Sequence, residues 1–215
     1  GSDYTASIVG AAVDAEEIQI WKDVNGIMTT DPKIVKNAKT IEKVSFAEAS
    51  ELAYFGAKVL HPKTILPAMR KNIPVRVLNS FNPSNKGTII MNKSEKTSNT
   101  VKAIACKKNI KVLHISSTRM LDTYGFMANL FRILEEYKIV VDVITTSEVS
   151  ISMTIDNSRS LGDAVAELRK IADVEIKEGK AVICVVGEGM AYTPRIASKI
   201  FSAFSKNNIN IEMIS

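Results

Sequence analysis

The sequence predicts an α/β protein built from two kinds of unit. Between residues 1 and 91, short apolar strands alternate with segments whose apolar residues recur at helical spacing. From residue 109 to residue 178 the order of predicted elements is β-α-β-β-α-β, the order of a ferredoxin-like unit. Residues 179–215 repeat the start of that order, so the second ferredoxin-like unit is predicted to be incomplete.

Two local signals organise the first part. Ser45 and Glu48 have the spacing of a capping box, which predicts a helix over residues 46–54. The polar segment 92–100 contains no apolar residue and is typical of a linker at a domain boundary. The other predicted elements are a helix over 3–15 capped by Ser2 or Asp3, a strand over 17–22, an Asn-Gly turn at 25–26, a helix over 62–71, and strands over 74–79 and 87–91.

The second part contains a weak internal repeat. Residues 130–145 (LFRILEEYKIVVDVIT) align with residues 200–215 (IFSAFSKNNINIEMIS). Apolar patterning predicts strands over 101–106, 111–116, 140–145, 150–155 and 174–176, and helices over 126–137 and 161–171. The second copy is predicted to consist of a strand over 181–187, a helix over 194–207 and a strand over 209–214.

The composition is that of an ordinary globular protein. Hydrophobic residues make up 46% and charged residues 24% of the chain. The net charge of +5 is scattered without a basic stripe, so we expect no nucleic-acid partner. No apolar run approaches the roughly 18 residues of a membrane span and no signal-peptide pattern is seen, so we expect no membrane partner and a cytoplasmic location.

Cysteine and glycine patterns exclude several kinds of site. Cys106 and Cys184 lie far apart in apolar runs, which predicts buried thiols. No Cys/His spacing typical of zinc occurs, so we expect no metal site. There is no Walker A sequence and no kinase Gly-rich loop, which argues against P-loop nucleotide hydrolases and protein kinases.

Four segments resemble one family, the aspartate kinases of the amino-acid kinase superfamily. They are GSDYTA at residues 1–6, IWKDVNGIMTTDPK at 20–33, FAEASELAYFGAKVLHP at 46–62, and TTSEV at 145–149, the last resembling the lysine-sensitive, single-function class. The resemblance covers essentially the whole chain. It implies part of the three-layer αβα amino-acid kinase fold, followed by tandem ACT domains, which are small-molecule sensors of ferredoxin-like fold.

The resemblance also implies a domain plan. In this plan residues 1–91 are the C-terminal part of the kinase domain and residues 92–100 are a linker. Residues 101–108 form a strand that belongs to the second ACT domain although it precedes the first, since the first ACT unit is inserted in the second in this family. Residues 109–178 form the first ACT domain and residues 179–215 a truncated second one.

The kinase-site residues follow from matching the family motifs. Ser2 and Asp3 match the segment that meets the aspartate substrate, which makes them the implied catalytic residues; a helix N-terminus there favours an anion. Taken alone, Gly-Ser-Asp is also typical of a plain helix cap. The implied nucleotide-binding residues are Lys22, Asp23, Met28, Lys33, Lys58 and Val59.

Three of these positions depart from the family pattern, which commonly has Thr, an aromatic residue and Arg in their place. Lys22 is explained equally well as a solvated surface charge. Met28 loses ring stacking on adenine but can still pack against it. Lys33 keeps the charge of Arg but loses its bidentate geometry on phosphate. Lys58 is alternatively a snorkelling side chain, and the neighbouring His61 is interpreted as a buried structural residue that satisfies main-chain groups.

The implied effector site lies in the first ACT unit. Positions that line or border the lysine site in lysine-sensitive relatives match Met120, Asp122, Thr123, Phe126, Met127, Val141, Asp142, Ser147 and Glu148. Asp122 stands where close relatives have His. Core packing alone would equally explain Phe126, Met127 and Val141, whereas a charge such as Asp142 in an apolar strand needs a partner.

The function implied by the resemblance is aspartate kinase, which converts ATP and L-aspartate into ADP and 4-phospho-L-aspartate at the start of lysine, threonine and methionine synthesis. Mg²⁺ would enter with ATP, without a tightly bound cofactor. L-Lysine would inhibit through the ACT domains, and these would pair to form a homodimer or a larger homo-oligomer. The family's Lys-Phe-Gly-Gly-Thr motif with the catalytic lysine is not in this sequence. We therefore expect this segment alone to be inactive.

Two alternatives from other classes stay open. One is a regulatory amino-acid-binding subunit without catalysis, against which the kinase-like residues 1–91 argue. The other is a piece of a bifunctional aspartate kinase–homoserine dehydrogenase, against which the TTSEV segment argues.

Overall fold

A computed structural model describes residues 1–56, 59–92, 101–121, 124–156 and 158–215, without the side chains of Pro62 and Ala191. The chain divides into two compact units. The first comprises Gly1–Lys107 and Ile183–Lys199, and the second comprises Lys108–Val182 and Ile200–Ser215. None of the described helices is long and apolar enough to cross a membrane.

The first unit is built around a mixed four-stranded sheet. Its strands are β1 (Ile18–Lys22), β2 (Lys43–Ser45), β3 (Val75–Asn79) and β4 (Thr88–Met91), and its helices are α1 (Ser2–Ala12), α2 (Phe46–Tyr54) and α3 (Leu66–Lys71). The strand order is β1-β3-β4-β2, with β1 parallel to β3, β2 parallel to β4, and β3 antiparallel to β4. Alternate residues of β1 are buried, as the sequence pattern predicts, and pack with β3 and α2 into one apolar core.

The predicted capping box is confirmed. Ser45 Oγ accepts the N–H of Glu48 at 3.1 Å, and Glu48 Oε2 accepts the N–H of Ser45 at 2.9 Å. Helix α2 begins and ends at the predicted residues. This local exchange satisfies two of the main-chain donors that a helix N-terminus leaves unpaired.

Two helix predictions need correction. Helix α1 ends at Ala12, and its cap is Gly1, without a side-chain hydrogen bond from Ser2 or Asp3. The helix predicted over 62–71 is a 3₁₀ turn at Pro62–Thr64 followed by α3. Pro67 explains the break, because it lacks an N–H and therefore lies in the first turn of a new helix, where no partner is needed.

The second sheet has the ferredoxin-like order that the sequence predicts. Its strands are β5 (Ala103–Ser116), β6 (Val141–Thr146), β7 (Ser150–Ile155) and β8 (Asp173–Val186), and the helices are α4 (Phe126–Glu136), α5 (Leu161–Leu168) and α6 (Ile196–Lys206). The strands are arranged β6-β7-β5-β8. In the second unit, α4 and α5 pack their apolar faces on this sheet around Leu113, Leu130 and Met153, which are fully buried.

The strands of the second sheet are longer than predicted. Residues 103–106 and 111–116 fall in one strand, β5, and residues 174–176 and 181–186 fall in β8, while residues 101, 102 and 187 of the predicted strands lie outside them. Asn109 in β5 and Gly179 in β8 have positive φ, so turn-forming residues interrupt the apolar pattern without ending the strand. The predicted strand at 209–214 is not formed; there Glu212 forms ion pairs with Lys177 and Lys180.

Candidate functional site

The carboxyl ends of β1 and β3 form one edge of the first sheet. The two strands are parallel, and the last residue of β1, Lys22, is the register partner of the last residue of β3, Asn79. Loops that follow neighbouring parallel strands meet at such an edge, which is where α/β sheets commonly bind ligands. The edge therefore brings residues that are far apart in sequence into one place.

An ion pair joins this edge to the start of α1. Lys22 Nζ lies 2.6 Å from Asp3 Oδ2, with 28% and 21% of the two side chains exposed. The structure thus brings together one predicted catalytic residue and one predicted nucleotide-binding residue. Lys22 is not a solvated surface charge, and Asp3 serves as its partner instead of as a helix cap. Because water still reaches both side chains, the pair contributes only about 0–1 kcal/mol to stability, and its main consequence is that it fixes the position of the Lys22 ammonium group.

The loop after β3 holds the segment after β1 by three hydrogen bonds. Ser80 donates both its N–H and its Oγ–H to the carbonyl of Lys22, at 2.8 and 2.9 Å. Asn79 Nδ2 donates to Asn25 Oδ1 at 2.7 Å. Sequence reasoning missed Asn79, although a polar residue that ends the apolar run VRVLN was a usable signal.

A second anchor lies at the end of the same segment. Gly26 has φ +111°, and a Cβ there would lie 2.4 Å from Thr88 Oγ1, so the predicted Asn-Gly turn requires its glycine. Thr88 is fully buried, and its Oγ1 accepts the N–H of Ile27 at 2.8 Å and donates to the carbonyl of Ile41 at 2.6 Å. Residues 22–27 are therefore held at both ends, with Asp23 exposed between the anchors.

The other predicted kinase-site residues lie outside this ion pair. Ser2 and Lys33 are exposed, and the N–H of Lys33 donates to Asp31 Oδ1 at 2.8 Å, which gives the Thr-Asp-Pro segment a capped turn. Met28 is half-buried in an isolated bridge with Thr40, and Val59 packs partly against the core. Lys58 lies outside the described residues. Their roles stay predictions.

His61 is a correction to the sequence interpretation. It is exposed instead of buried, although its Nδ1 does accept a main-chain hydrogen bond, from the N–H of Lys63 at 3.2 Å.

The thiols of Cys106 and Cys184 are half-buried. Burial, with the negative charge of Glu51, raises the pKa of the Cys184 thiol to about 11, so it stays protonated at neutral pH.

A buried carboxylate in the first unit was not predicted beyond its capping role. Glu48 Oε2 accepts a hydrogen bond from Lys102 Nζ at 2.9 Å, and Oε1 accepts the N–H of Glu188 at 3.0 Å. Only 3% of the Glu48 side chain and 8% of the Lys102 side chain are exposed. Burial alone would raise the pKa of Glu48, but the hydrogen bonds from Ser45, Lys102 and Glu188 outweigh it and hold that pKa below its ordinary value.

The predicted effector residues divide into two groups in the second unit. Met120, Phe126, Met127 and Val141 all pack partly against the apolar core, which favours the core-packing interpretation of Phe126, Met127 and Val141. Asp142 is half-buried on β6, and Glu148 is exposed in the turn between β6 and β7. Ser147 builds that turn, since its N–H donates to the carbonyl of Ser150 at 2.8 Å. Asp122 and Thr123 lie outside the described residues.

The second unit also has an open cleft of about 560 Å³. It is lined by His114, Ser116, Arg169, Ala172, Asp173, Val174 and Glu175. None of the predicted effector residues that the structure describes belongs to this lining, so the cleft lies apart from those residues.

Two family models match the chain. Residues 1–79 match the amino acid kinase family, and residues 113–170 and 183–215 match the ACT domain. Among curated relatives, aspartokinase 1, chloroplastic, of Arabidopsis thaliana is 45% identical over 224 residues, which covers 100% of this chain and 39% of the relative. Lysine-sensitive aspartokinase 3 of Escherichia coli is 42% identical over 219 residues, covering 98% of this chain and 49% of the relative. The chain thus spans less than half the length of these relatives.

Solved structures agree with these matches. E. coli aspartokinase III in complex with aspartate and ADP superposes with a TM-score of 0.88 and 41% identity, over 100% of this chain and 49% of that one. The aspartate kinase of Clostridium acetobutylicum superposes with a TM-score of 0.91 and 39% identity, over 100% and 51%. The E. coli enzyme in complex with lysine and aspartate gives a TM-score of 0.83 at 41% identity, over 100% and 49%.

Proposed function

Because the chain belongs to the aspartokinase family, we propose that it forms part of an enzyme that phosphorylates L-aspartate with ATP. The products would be ADP and 4-phospho-L-aspartate. The observation that carries the proposal is the ion pair between Asp3 and Lys22 at the carboxyl edge of β1 and β3. It joins the residues that match the family's aspartate segment and its nucleotide segment.

The proposed reaction is an in-line transfer. A carboxylate oxygen of the aspartate side chain attacks the γ-phosphorus of ATP, and the bond from that phosphorus to the β,γ-bridging oxygen breaks to release ADP. Catalysis of such transfers depends mostly on positioning and on stabilising negative charge. Lys22 supplies a cation at the edge, oriented by Asp3 at 2.6 Å. The exposed Asp23 is suited to the Mg²⁺ that enters with ATP, because Mg²⁺ prefers one or two carboxylates together with phosphate oxygens.

Replacing Lys22 with methionine tests the proposed role of the edge. In the gene product that contains this chain, we expect Lys22→Met to lower kcat/KM for ATP by about 10–100-fold, the range that 1.4–2.8 kcal/mol of lost phosphate interaction would produce. ADP release in the presence of L-aspartate is the measurement. Lys71→Met is the matched control, since Lys71 forms an equally short ion pair of 2.6 Å with Asp14 on the exposed surface of the same unit. Equal effects of the two changes would contradict the proposal, as would absence of aspartate-dependent ADP release from the unmodified protein.

We also propose that the second unit binds L-lysine near Met120 and the turn between β6 and β7. The E. coli relative is described as lysine-sensitive, and its structure has been determined with lysine. An ammonium group on a lysine side chain needs acidic partners, and Asp142 and Glu148 supply carboxylates on β6 and in the turn that follows. Binding there would inhibit the kinase if lysine favours an inactive arrangement, which is a coupling between two sites.

Calorimetric titration with L-lysine tests the effector proposal. We expect saturable binding by the unmodified chain and at least about ten-fold weaker binding by Asp142→Ala, since a charged hydrogen bond is worth roughly 1.5–3 kcal/mol. Glu136→Ala, at an exposed position of α4, should bind like the unmodified chain. L-Threonine and L-aspartate serve as ligand controls. Binding of threonine in place of lysine would refute the assignment.

Assembly and location complete the proposal. Helix α6 is strongly amphipathic but buries none of its residues, and Phe201 on the helix and Ile209 just after it are both exposed. Apolar surface of this kind supports pairing of ACT units into a homodimer or a larger homo-oligomer. We propose the cytoplasm as the location.

A further inference from the structure

The amide of Asn79 is buried at the edge where the ion pair lies, and both of its polar atoms are used. Its Oδ1 accepts the N–H of Phe81 at 2.9 Å. A main-chain N–H can only donate, so the oxygen must face Phe81 and the NH₂ group must face Asn25, whose Oδ1 lies 2.7 Å away. The orientation of the amide is therefore determined by its partners, and only 9% of the residue is exposed.

The apolar core does not require this asparagine. Its neighbours on β3, Val75 and Val77, already fill the core side of the strand and are fully buried. A buried amide loses its hydration and is tolerated only where hydrogen bonds replace it. These hydrogen bonds connect the loop after β3 with Asn25, which lies in the segment that follows β1.

We propose that Asn79 is a positioning residue for nucleotide binding, which it supports through Asn25 without touching the nucleotide. This inference rests on the proposed function of the same site. Residues 22–25 are held by Asn79 and Ser80, while the following Gly26-Ile27 step is held by Thr88. The exposed Asp23 lies between these anchors, and Lys22, with its partner Asp3, lies at the start of the segment. A segment held in this way presents its charges to a nucleoside triphosphate without first paying the entropy of ordering a loop.

Steady-state kinetics of Asn79→Ala in the gene product that contains this chain tests the inference. We expect KM for ATP to rise about ten-fold, the effect of one lost buried hydrogen bond, while KM for L-aspartate stays within about two-fold. Asn82→Ala is the matched control, because Asn82 lies exposed in the same loop and its Oδ1 accepts from Ser84 Oγ. A residue that merely stabilises the fold would not separate the two KM values in this way.

A double-mutant cycle with Asn25 tests the same inference from the other side of the hydrogen bond, even if Asn79→Ala folds poorly. Asn25→Ala, on the loop side of the same hydrogen bond, should raise KM for ATP by a similar factor, and the double variant should be no worse than either single one. The inference is overturned if Asn79→Ala changes both KM values equally, if it matches Asn82→Ala, or if the effects of Asn25→Ala and Asn79→Ala add.

Failure of the proposed function gives a different pattern. If the unmodified protein does not phosphorylate aspartate, titration with Mg-ATP alone decides the inference. Ten-fold weaker binding by Asn79→Ala than by Asn82→Ala would then support it. Equal affinities, or no ATP binding by the unmodified protein, would refute it.

Discussion

Replacing Glu48 with methionine is expected to destabilise the protein by about 3–5 kcal/mol, the cost of leaving one charge of a buried pair without its partner. The change removes the acceptor for Lys102 Nζ and for the main-chain N–H groups of Ser45 and Glu188. These three donors belong to separate stretches of the chain that meet only within the first unit. Chemical denaturation at pH 7, followed by far-UV circular dichroism, measures the loss.

Two further variants separate the buried pair from the helix cap. Glu51→Met changes an exposed glutamate on the same helix and should shift stability by no more than about 0.5 kcal/mol. Adding Lys102→Met to Glu48→Met should recover part of the loss, because the buried ammonium group that has lost the Glu48 carboxylate is then removed as well. If Glu48→Met and Glu51→Met are equally stable, the buried pair does not stabilise the first unit.

The contribution of Glu48 should also depend on pH. Its pKa is lower in the folded protein than in the unfolded chain. A carboxyl shifted in this direction contributes stability above its unfolded pKa of about 4.3, and the contribution is lost as the pH falls through the folded pKa. The stability difference between the unmodified protein and Glu48→Met should therefore shrink in denaturation experiments performed below about pH 4.3.

Thr88→Val is expected to cost about 2–4 kcal/mol, although valine has nearly the same shape as threonine. Thr88 is fully buried, so valine would leave the N–H of Ile27 and the carbonyl of Ile41 without the hydroxyl that now pairs with both. The turn at Gly26 packs directly on this hydroxyl. The midpoint and slope of urea unfolding measure the loss.

The matched control is Thr88→Ser, which keeps the hydroxyl and removes only a methyl group. It should cost no more than about 1.5 kcal/mol, because a small cavity replaces the methyl while both hydrogen bonds persist. A serine variant as unstable as the valine variant would show that packing, and not hydrogen bonding, gives this threonine its importance.

Elements with local signals were predicted well. The capping box needs only Ser45 and Glu48, three residues apart, and α2 begins and ends where it predicts. The ferredoxin-like order of the second part was equally readable, because apolar patterns of helices and strands repeat within short windows. Predicted boundaries were wrong where a proline or a residue with positive φ interrupts a pattern, as at Pro67 and Asn109. At such a residue, whether the helix or strand continues depends on the elements packed beside it.

The final segment shows the limit of patterning most clearly. Residues 209–214 alternate like a strand, yet they form none in the structure. A strand exists only if another strand offers its hydrogen-bonding edge, and an isolated segment cannot reveal whether that edge is present. What the segment does form are the ion pairs of Glu212 with Lys177 and Lys180, more than 30 residues away.

The sequence identified several candidate site residues, but it did not show which residues they contact. Motif resemblance selected Asp3 and Lys22 separately, one for the aspartate segment and one for the nucleotide segment; the fold joined them in one ion pair. Asn79, Thr88 and Lys102 carried no motif, because their importance comes from hydrogen bonds to residues more than 50 positions away. Periodicity and capping act over a few residues and can be read along the chain. The pairing of buried polar groups is set by which distant segments the sheet and its core bring together, and it becomes visible only in the folded molecule.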